Sequence, residues 1–209
     1  MITQEQFERG LRLDQYISTI SQNKENFRAN FIKAIEIFTR DDLKFFRSLP
    51  HNVNIAVLAD DGNLDSLRDV PIISRLSVEV GKLTLRLFRS ATHADSALEI
   101  HSCLAETKPD YGSGEVPAIV FMRPDMTLIG ACAGPLDDLL SEMKQRQITW
   151  ASSHPEIKDA TEPLANMTPI TRTRAIQAIY ASTAEQRIEW GRKTVAAWQS
   201  ILGRTKAGV

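Results

Sequence analysis

The chain has 209 residues, 43% of them hydrophobic and 24% charged, with a formal charge of -1 at pH 7; that content can bury a core and excludes a disordered or collagen-like chain. Twenty-five basic against twenty-six acidic side chains leave no surplus to neutralise phosphates, so neither nucleic acid nor a membrane is an expected partner. The opening Met1-Ile2-Thr3-Gln4-Glu5-Gln6 lacks a basic segment followed by an apolar run, no apolar stretch approaches the ~20 residues that cross a bilayer, and the expected location is cytoplasmic.

The first fifty residues read as helix. Thr3-Gln4-Glu5-Gln6 fits a capping box, and Phe27, Phe31, Ile35 and Phe38 recur at helical spacing. Pro50-His51-Asn52 breaks the pattern, and Val53–Leu58 is a β-branched run of the kind that makes a buried strand. Acidic residues and a glycine end it at Asp60-Asp61-Gly62. From Asn63 to Val80 the apolar positions Leu64, Leu67, Val70, Ile73 and Leu76 return to helical spacing, with Pro71 placed where a kink is expected. Leu83–Phe88 alternates as a strand, and a crossover helix is predicted from about Ala94 to Glu106. Pro109–Gly114 is a turn-rich loop; strands then follow at Ala118–Met122 and Thr127–Ala131, joined by Arg123-Pro124-Asp125-Met126 as an antiparallel hairpin.

Gly134-Pro135 opens another helix, with Asp137 and Asp138 suited to the positive end of its dipole. Beyond Arg146 the Ser, Pro, Thr and Asn content through Met167 reads as an irregular connector rather than a second core. Two helices finish the chain; Ser182-Thr183-Ala184-Glu185 fits a capping box, and Ile188, Gly191, Val195, Trp198 and Leu202 make one stripe of the last helix apolar. Such a stripe needs a partner surface, either on the same chain or on a second copy, and the length of the connector favours a homodimer through the C-terminal helices. The expected divisions are residues 1–50 as helices packed on the core, 51–147 as the α/β core, and 148–209 as connector and helical extension.

Over residues 1 to 145 this order and punctuation resemble the thioredoxin fold, and in particular the bacterial thioredoxin-like family with long N-terminal helices and a Trp-Cys-Gly-Asp-Cys active site. Three landmarks carry the resemblance: Val57–Asp61 followed by Leu67–Pro71, Glu115–Phe121, and the hairpin from Phe121 to Gly130 with Gly134. The family's helix has a proline five residues after its second cysteine, an offset that Ser66 and Pro71 keep. Val116-Pro117 is similar to the segment that carries the family's cis-proline. The resemblance implies a mixed sheet of about four strands flanked by helices, with helical extensions at both ends, and a groove where the residue before the cis-proline pairs with an extended peptide.

Where the family has its active site, this chain has Gly62-Asn63-Leu64-Asp65-Ser66. Disulfide exchange needs an attacking thiolate and a resolving thiol, and neither is there. Asn63 reads as a helix cap and Ser66 as a first-turn hydrogen-bonding residue, since none of His51, His93, His101 or His154 matches a position that would activate a serine nucleophile. The groove that remains is rimmed by Asp60, Asp61, Gly62, Asn63, Leu64, Asp65, Ser66, Val116, Pro117 and Cys132. It implies a redox-inactive module for a peptide or protein partner, with no cofactor and no catalytic residue expected. Two further readings stay open: an enzyme of altered, non-dithiol chemistry using Ser66, Cys132 or a partner's thiol, and a homo-oligomeric structural protein.

Other patterns carry less. Asp61-X-Asn63-X-Asp65 starts like a calcium loop, but Ser66 and Ile72 stand where glycine and glutamate are required. Gly112-Ser113-Gly114 lacks the lysine and helix of a phosphate-binding loop. Cys103 and Cys132 read as buried small hydrophobes whose pairing the sequence leaves open, His101 and Cys103 fall on different helix faces, and Trp150, Trp190 and Trp198 read as anchors of the helical extension.

Overall fold

The computed structural model describes residues 1–21, 23–107, 116–134, 137–183 and 185–203. The Pro109–Gly114 loop, Glu115, Pro135 and Ala184 lie outside the described residues, as do the side chains of Asp137 and Asp138. The expected α/β class with a four-stranded mixed sheet flanked by helices is found. Strands β1 (Val53–Leu58), β2 (Leu83–Phe88), β3 (Ala118–Met122) and β4 (Leu128–Ala133) lie in the order β2-β1-β3-β4. β1 is buried along its whole length, which is why it reads as a continuous apolar run. It pairs in parallel with β2, Val53 opposite Leu83, and antiparallel with β3, Leu58 opposite Ala118. β3 and β4 are antiparallel, with an irregularity between Phe121 and Met122. β4 extends two residues past the expected Ala131, because Ala133 still pairs with Ala118 and the Gly134 amide donates to the Pro117 carbonyl at 3.0 Å.

Helix α5 (Leu64–Val80) connects β1 to β2, and α6 (Ala94–Thr107) connects β2 to β3. Leu64, Leu67, Val70, Ile73 and Leu76 are all buried. α5 runs without interruption through Pro71, and a side chain explains how. A proline at that position leaves the carbonyl four residues earlier without its helical donor. Leu67 has that carbonyl, and it accepts instead from Asn30 Nδ2 at 2.8 Å.

One face of the sheet packs Ala56, Leu58, Ala118, Val120 and Met122 against Ile100, Cys103 and Leu104 of α6 and against Ile2 and Phe7. Alternation turns Ile55, Val57, Ile119 and Phe121 to the opposite face, where they too are buried. The N-terminal fifty residues are helical in short pieces: α1 (Gln4–Arg9), α2 (Leu13–Thr19), α3 (Lys24–Lys33) and α4 (Arg40–Arg47). The Thr3/Gln6 capping box is formed, with Thr3 Oγ1 accepting from the Gln6 amide at 3.2 Å and Gln6 Oε1 from the Thr3 amide at 2.8 Å. The Phe27 stripe is buried at Phe27 but exposed at Ile35, since α3 tightens into a 3-10 turn at Ala34–Glu36 that rotates the face.

The chain groups into two compact units, Met1–Gly134 with Gly191–Val209, and Pro135–Trp190. These cut across the expected divisions at 50/51 and 147/148. The second unit holds α7 (Asp137–Ser152) and α8 (Pro169–Ser182), and the polar segment between them is not mere connector. Ala160 and Met167 join Trp150, Ala151 and Ala175 in a small core. Asp159 fixes the turn into α8 by accepting from the Thr168 amide at 2.6 Å and the Thr171 hydroxyl at 2.7 Å. The expected capping box at Ser182 is also replaced: Ser182 and Thr183 close α8 by donating to the carbonyls of Ile179 and Tyr180.

Helix α9 (Arg187–Gly203) joins the first unit from Gly191 onward. Val195, Trp198 and Leu202 of the stripe are buried within the single chain, whereas Ile188 is 36% exposed. A Cβ on Gly191 would stand 2.5 Å from Ile37 Cδ1, so glycine is what allows α9 this close. Gln199 donates to Asp42 Oδ1 at 2.8 Å. The stripe thus finds its surface in cis, and burying it does not require a second copy. Among the described residues no helix is long and apolar enough to cross a membrane.

Candidate functional site at the start of α5

Because Leu58 pairs with Ala118 and Ala118 with Ala133, the loop leaving β1, the Val116-Pro117 segment entering β3 and the end of β4 meet at one end of the sheet. The loop is shaped by its own short polar side chains. Asp60 Oδ1 accepts from the Gly62 amide at 2.8 Å, and the Asp60 carbonyl accepts from the Asn63 amide at 3.2 Å. Asn63 is the N-cap of α5, its Oδ1 accepting from the Ser66 amide at 2.8 Å. Ser66 is 2% exposed, and its Oγ accepts from the Asp60 amide at 3.2 Å. Both residues standing where the resemblance places thiols are therefore employed in starting the helix.

Asp61 is turned toward the N-terminal helices. It accepts from the Ser21 amide at 2.8 Å and the Ser21 hydroxyl at 3.0 Å, and it pairs with Arg89. Arg89 also donates to the Thr19 carbonyl at 2.9 Å, and Asn23 Nδ2 donates to the Asp61 carbonyl at 3.2 Å. Tyr16, Ile20 and Phe27 close over Asp60, Asp61, Ser66 and Leu67, leaving a cavity of about 10 Å³, about the room of a single water. Burial raises the Tyr16 phenol above its ordinary pKa.

One turn further on lies a feature that the sequence reading did not find. Arg68, with 6% of its side chain exposed, bridges Asp65 at 2.9 Å and Asp69 at 2.7 and 2.8 Å. Burial, reinforced by the Asp69 charge and opposed by Arg68, pushes the Asp65 carboxyl up to about 6. The signal was available: an Asp-X-X-Arg-Asp pattern set among apolar positions of a helix flanked by two apolar strands will bury its charges, and buried charges must pair.

Cys132 sits opposite Ile119 on β4. Its thiol is pushed up to about 12 by burial and by the Asp69 charge, against a bond from the Trp198 indole. Burial also raises the Cys103 thiol. Both cysteines are free, and a thiol raised so far is protonated and unreactive at neutral pH. At the start of β3, Pro117 is buried and Val116 half-buried; the peptide bond between them is cis. Val116 packs beside the α6-side core, and its backbone groups have no partner among the described residues. Among the described residues, no group of His, Cys, Asp or Glu side chains is placed to hold a metal ion.

No family model matches the chain, and no curated protein does. Two solved structures share its fold. One is a protein of unknown function from Pseudomonas aeruginosa, 8% identical, with a TM-score of 0.56 over 87% of this chain and 99% of that one. The other is an HIV epitope-scaffold, also 8% identical with a TM-score of 0.56, over 95% of this chain and 96% of the other.

Proposed function

We propose that this is a redox-inactive protein of thioredoxin-like fold that binds an extended peptide or protein segment beside Val116 and Pro117. The strand order β2-β1-β3-β4, with β1 parallel to β2 and antiparallel to β3, supports the fold reading, as does a helix that starts directly after β1. The loss of redox chemistry rests on one observation: Asn63 and Ser66 are bonded as cap and first-turn residue, and neither free thiol stands there.

Binding rests on Val116. Its backbone, without a partner among the described residues, can pair with an extended chain, a mode that takes its affinity from main-chain hydrogen bonds and needs no cysteine. The rim on the other side is narrower than the resemblance implies, because Asp61, Leu64, Asp65 and Ser66 are tied to other elements or buried, which leaves Gly62 with Asp60 and Asn63, whose side chains are bonded within the loop and the start of α5. The test is a displayed random-peptide library selected on the full chain, with amide chemical shifts mapping where recovered peptides sit. Binding that shifts Val116, Gly62 and Asn63 and is lost in Val116→Pro supports the proposal. Peptides that map elsewhere, or that ignore Val116→Pro, overturn it.

A further inference from the structure

The second unit carries a groove of about 530 Å³ over its small core, between the turn that follows α7 and helix α8. Trp150, Ile157 and Ala178 line it, and all three belong to that core or pack against it. An apolar floor of this size with a few polar groups at its rim is the make-up of a small-molecule site.

One wall is the turn. The Ile157 amide donates to the His154 carbonyl at 3.1 Å, and Pro155 takes the second position, where its fixed φ suits a tight turn. The His154 ring stacks on Trp150 with centroids 5.0 Å apart and planes at 29°, and its Nδ1 lies 2.8 Å from the Trp150 carbonyl. A carbonyl only accepts, so Nδ1 carries the proton and Nε2 of the neutral ring is left as an acceptor. With the Glu156 carboxylate beside it, this wall suits a cationic N–H donor.

Helix α8 makes the other wall. Arg174, Gln177 and Ala178 share one stripe at helical spacing, so a guanidinium and an amide stand above the apolar floor. Arg172 is held by the carbonyls of Leu164 and Met167. Arg174, Gln177 and Glu156 are instead exposed, with no side-chain hydrogen bond or ion pair among the described residues. Opposite charges thus flank one groove without meeting.

The geometry points to a binding site for a free α-amino acid with a large apolar side chain. Its carboxylate pairs with Arg174 and Gln177, its ammonium with Glu156 and His154 Nε2, and its side chain covers Trp150, Ile157 and Ala178. Charge selects the zwitterion. A simple carboxylic acid would satisfy Arg174 while facing Glu156, and a simple amine would meet the reverse. A polar side chain would lose water over the apolar floor without gaining a partner. The site lies wholly within Pro135–Trp190, so it stands or falls independently of peptide binding at Val116.

Titration of the full chain with L-leucine and L-phenylalanine tests it, followed by calorimetry and by the Trp150 indole and His154 ring signals in NMR. Saturable binding of one molecule per chain that moves both signals is expected. N-acetyl-leucine, which lacks the ammonium, leucinamide, which lacks the carboxylate, and serine, which lacks the apolar side chain, should each bind at least about tenfold more weakly. Arg174→Gln should erase the preference for leucine over leucinamide, and Glu156→Gln the preference over N-acetyl-leucine; both residues are exposed, so an unchanged circular dichroism spectrum is expected for each. No saturable movement of the Trp150 and His154 signals with either amino acid overturns the inference. Acetate binding as tightly as leucine, or preferences that survive both substitutions, overturns it equally.

Discussion

At one end of the sheet the loop leaving β1 and the segment entering β3 face each other, yet their interactions differ sharply in number. Asp60, Asp61, Asn63 and Ser66 are all hydrogen-bonded within the loop or to residues 19–23, and Arg68 gathers two carboxylates beneath them. Among the described residues, Val116 has only its side chain engaged. The loop side of this end of the sheet is tied into structure, and on the β3 side the Val116 backbone has no partner among the described residues. On the function proposed above, chemistry and binding separate here: the loop after β1 is locked in place by its neighbours, and strand pairing is left to Val116.

The largest break in that comparison is Arg68→Ala. Removing the guanidinium leaves Asp65 and Asp69 buried without their cation, a loss on the order of 3–5 kcal/mol in denaturant unfolding. Arg68→Met combined with Asp65→Asn and Asp69→Asn should recover most of it, because uncharged partners do not need the cation. A second test uses pH. The folded carboxyl of Asp65, raised to about 6, holds a proton that the unfolded chain has already released above about pH 4. The folded state binds more protons in that window, so stability must fall as pH rises from about 4 through 6, by roughly 1–3 kcal/mol in total. Asp65→Asn should flatten this slope in unfolding curves measured across the window; an unchanged slope would place its cause elsewhere.

A smaller effect sharpens the contrast between the two sides. Asp61→Ala frees Ser21 and Arg89 at once, leaving the bond from Asn23 to the backbone carbonyl of residue 61, and should lower stability by about 1–2 kcal/mol. Its signature in hydrogen exchange is faster opening of residues 19–23 and of the start of α5, with Val116 and β3 unchanged. Equal acceleration on both sides would mean that the loop and the strand are not independently held.

Much of the fold was legible because its strands announce themselves. β1, β2 and β3 are short β-branched or alternating runs between turn residues, and their expected bounds agree with those observed. α5 was legible from Leu64 to Leu76 for the same reason that it is buried. What composition concealed lay in side chains doing the work of backbone. Asn30 supplies the donor that Pro71 lacks, Asp159 organises a polar segment into part of a core, and Arg68 makes two acidic residues buriable. Each of these pairs residues across a distance that periodicity does not report. Within the candidate site, the roles of Asn63 and Ser66 were readable from local helix-start chemistry. The diversion of Asp61 was not, since it depends on where Ser21 and Arg89 arrive in space.

On the thioredoxin-like reading proposed above, Asn63 and Ser66 occupy the places of a dithiol in a frame otherwise suited to one. Asn63→Cys with Ser66→Cys tests it most directly. The two positions keep i,i+3 spacing at a helix start, so oxidation of the double variant should yield a disulfide between them by mass mapping, and reduction of a model disulfide should appear where the wild type shows none above buffer. Reductase turnover by the wild type, or a double variant in which positions 63 and 66 fail to join, would contradict the claim.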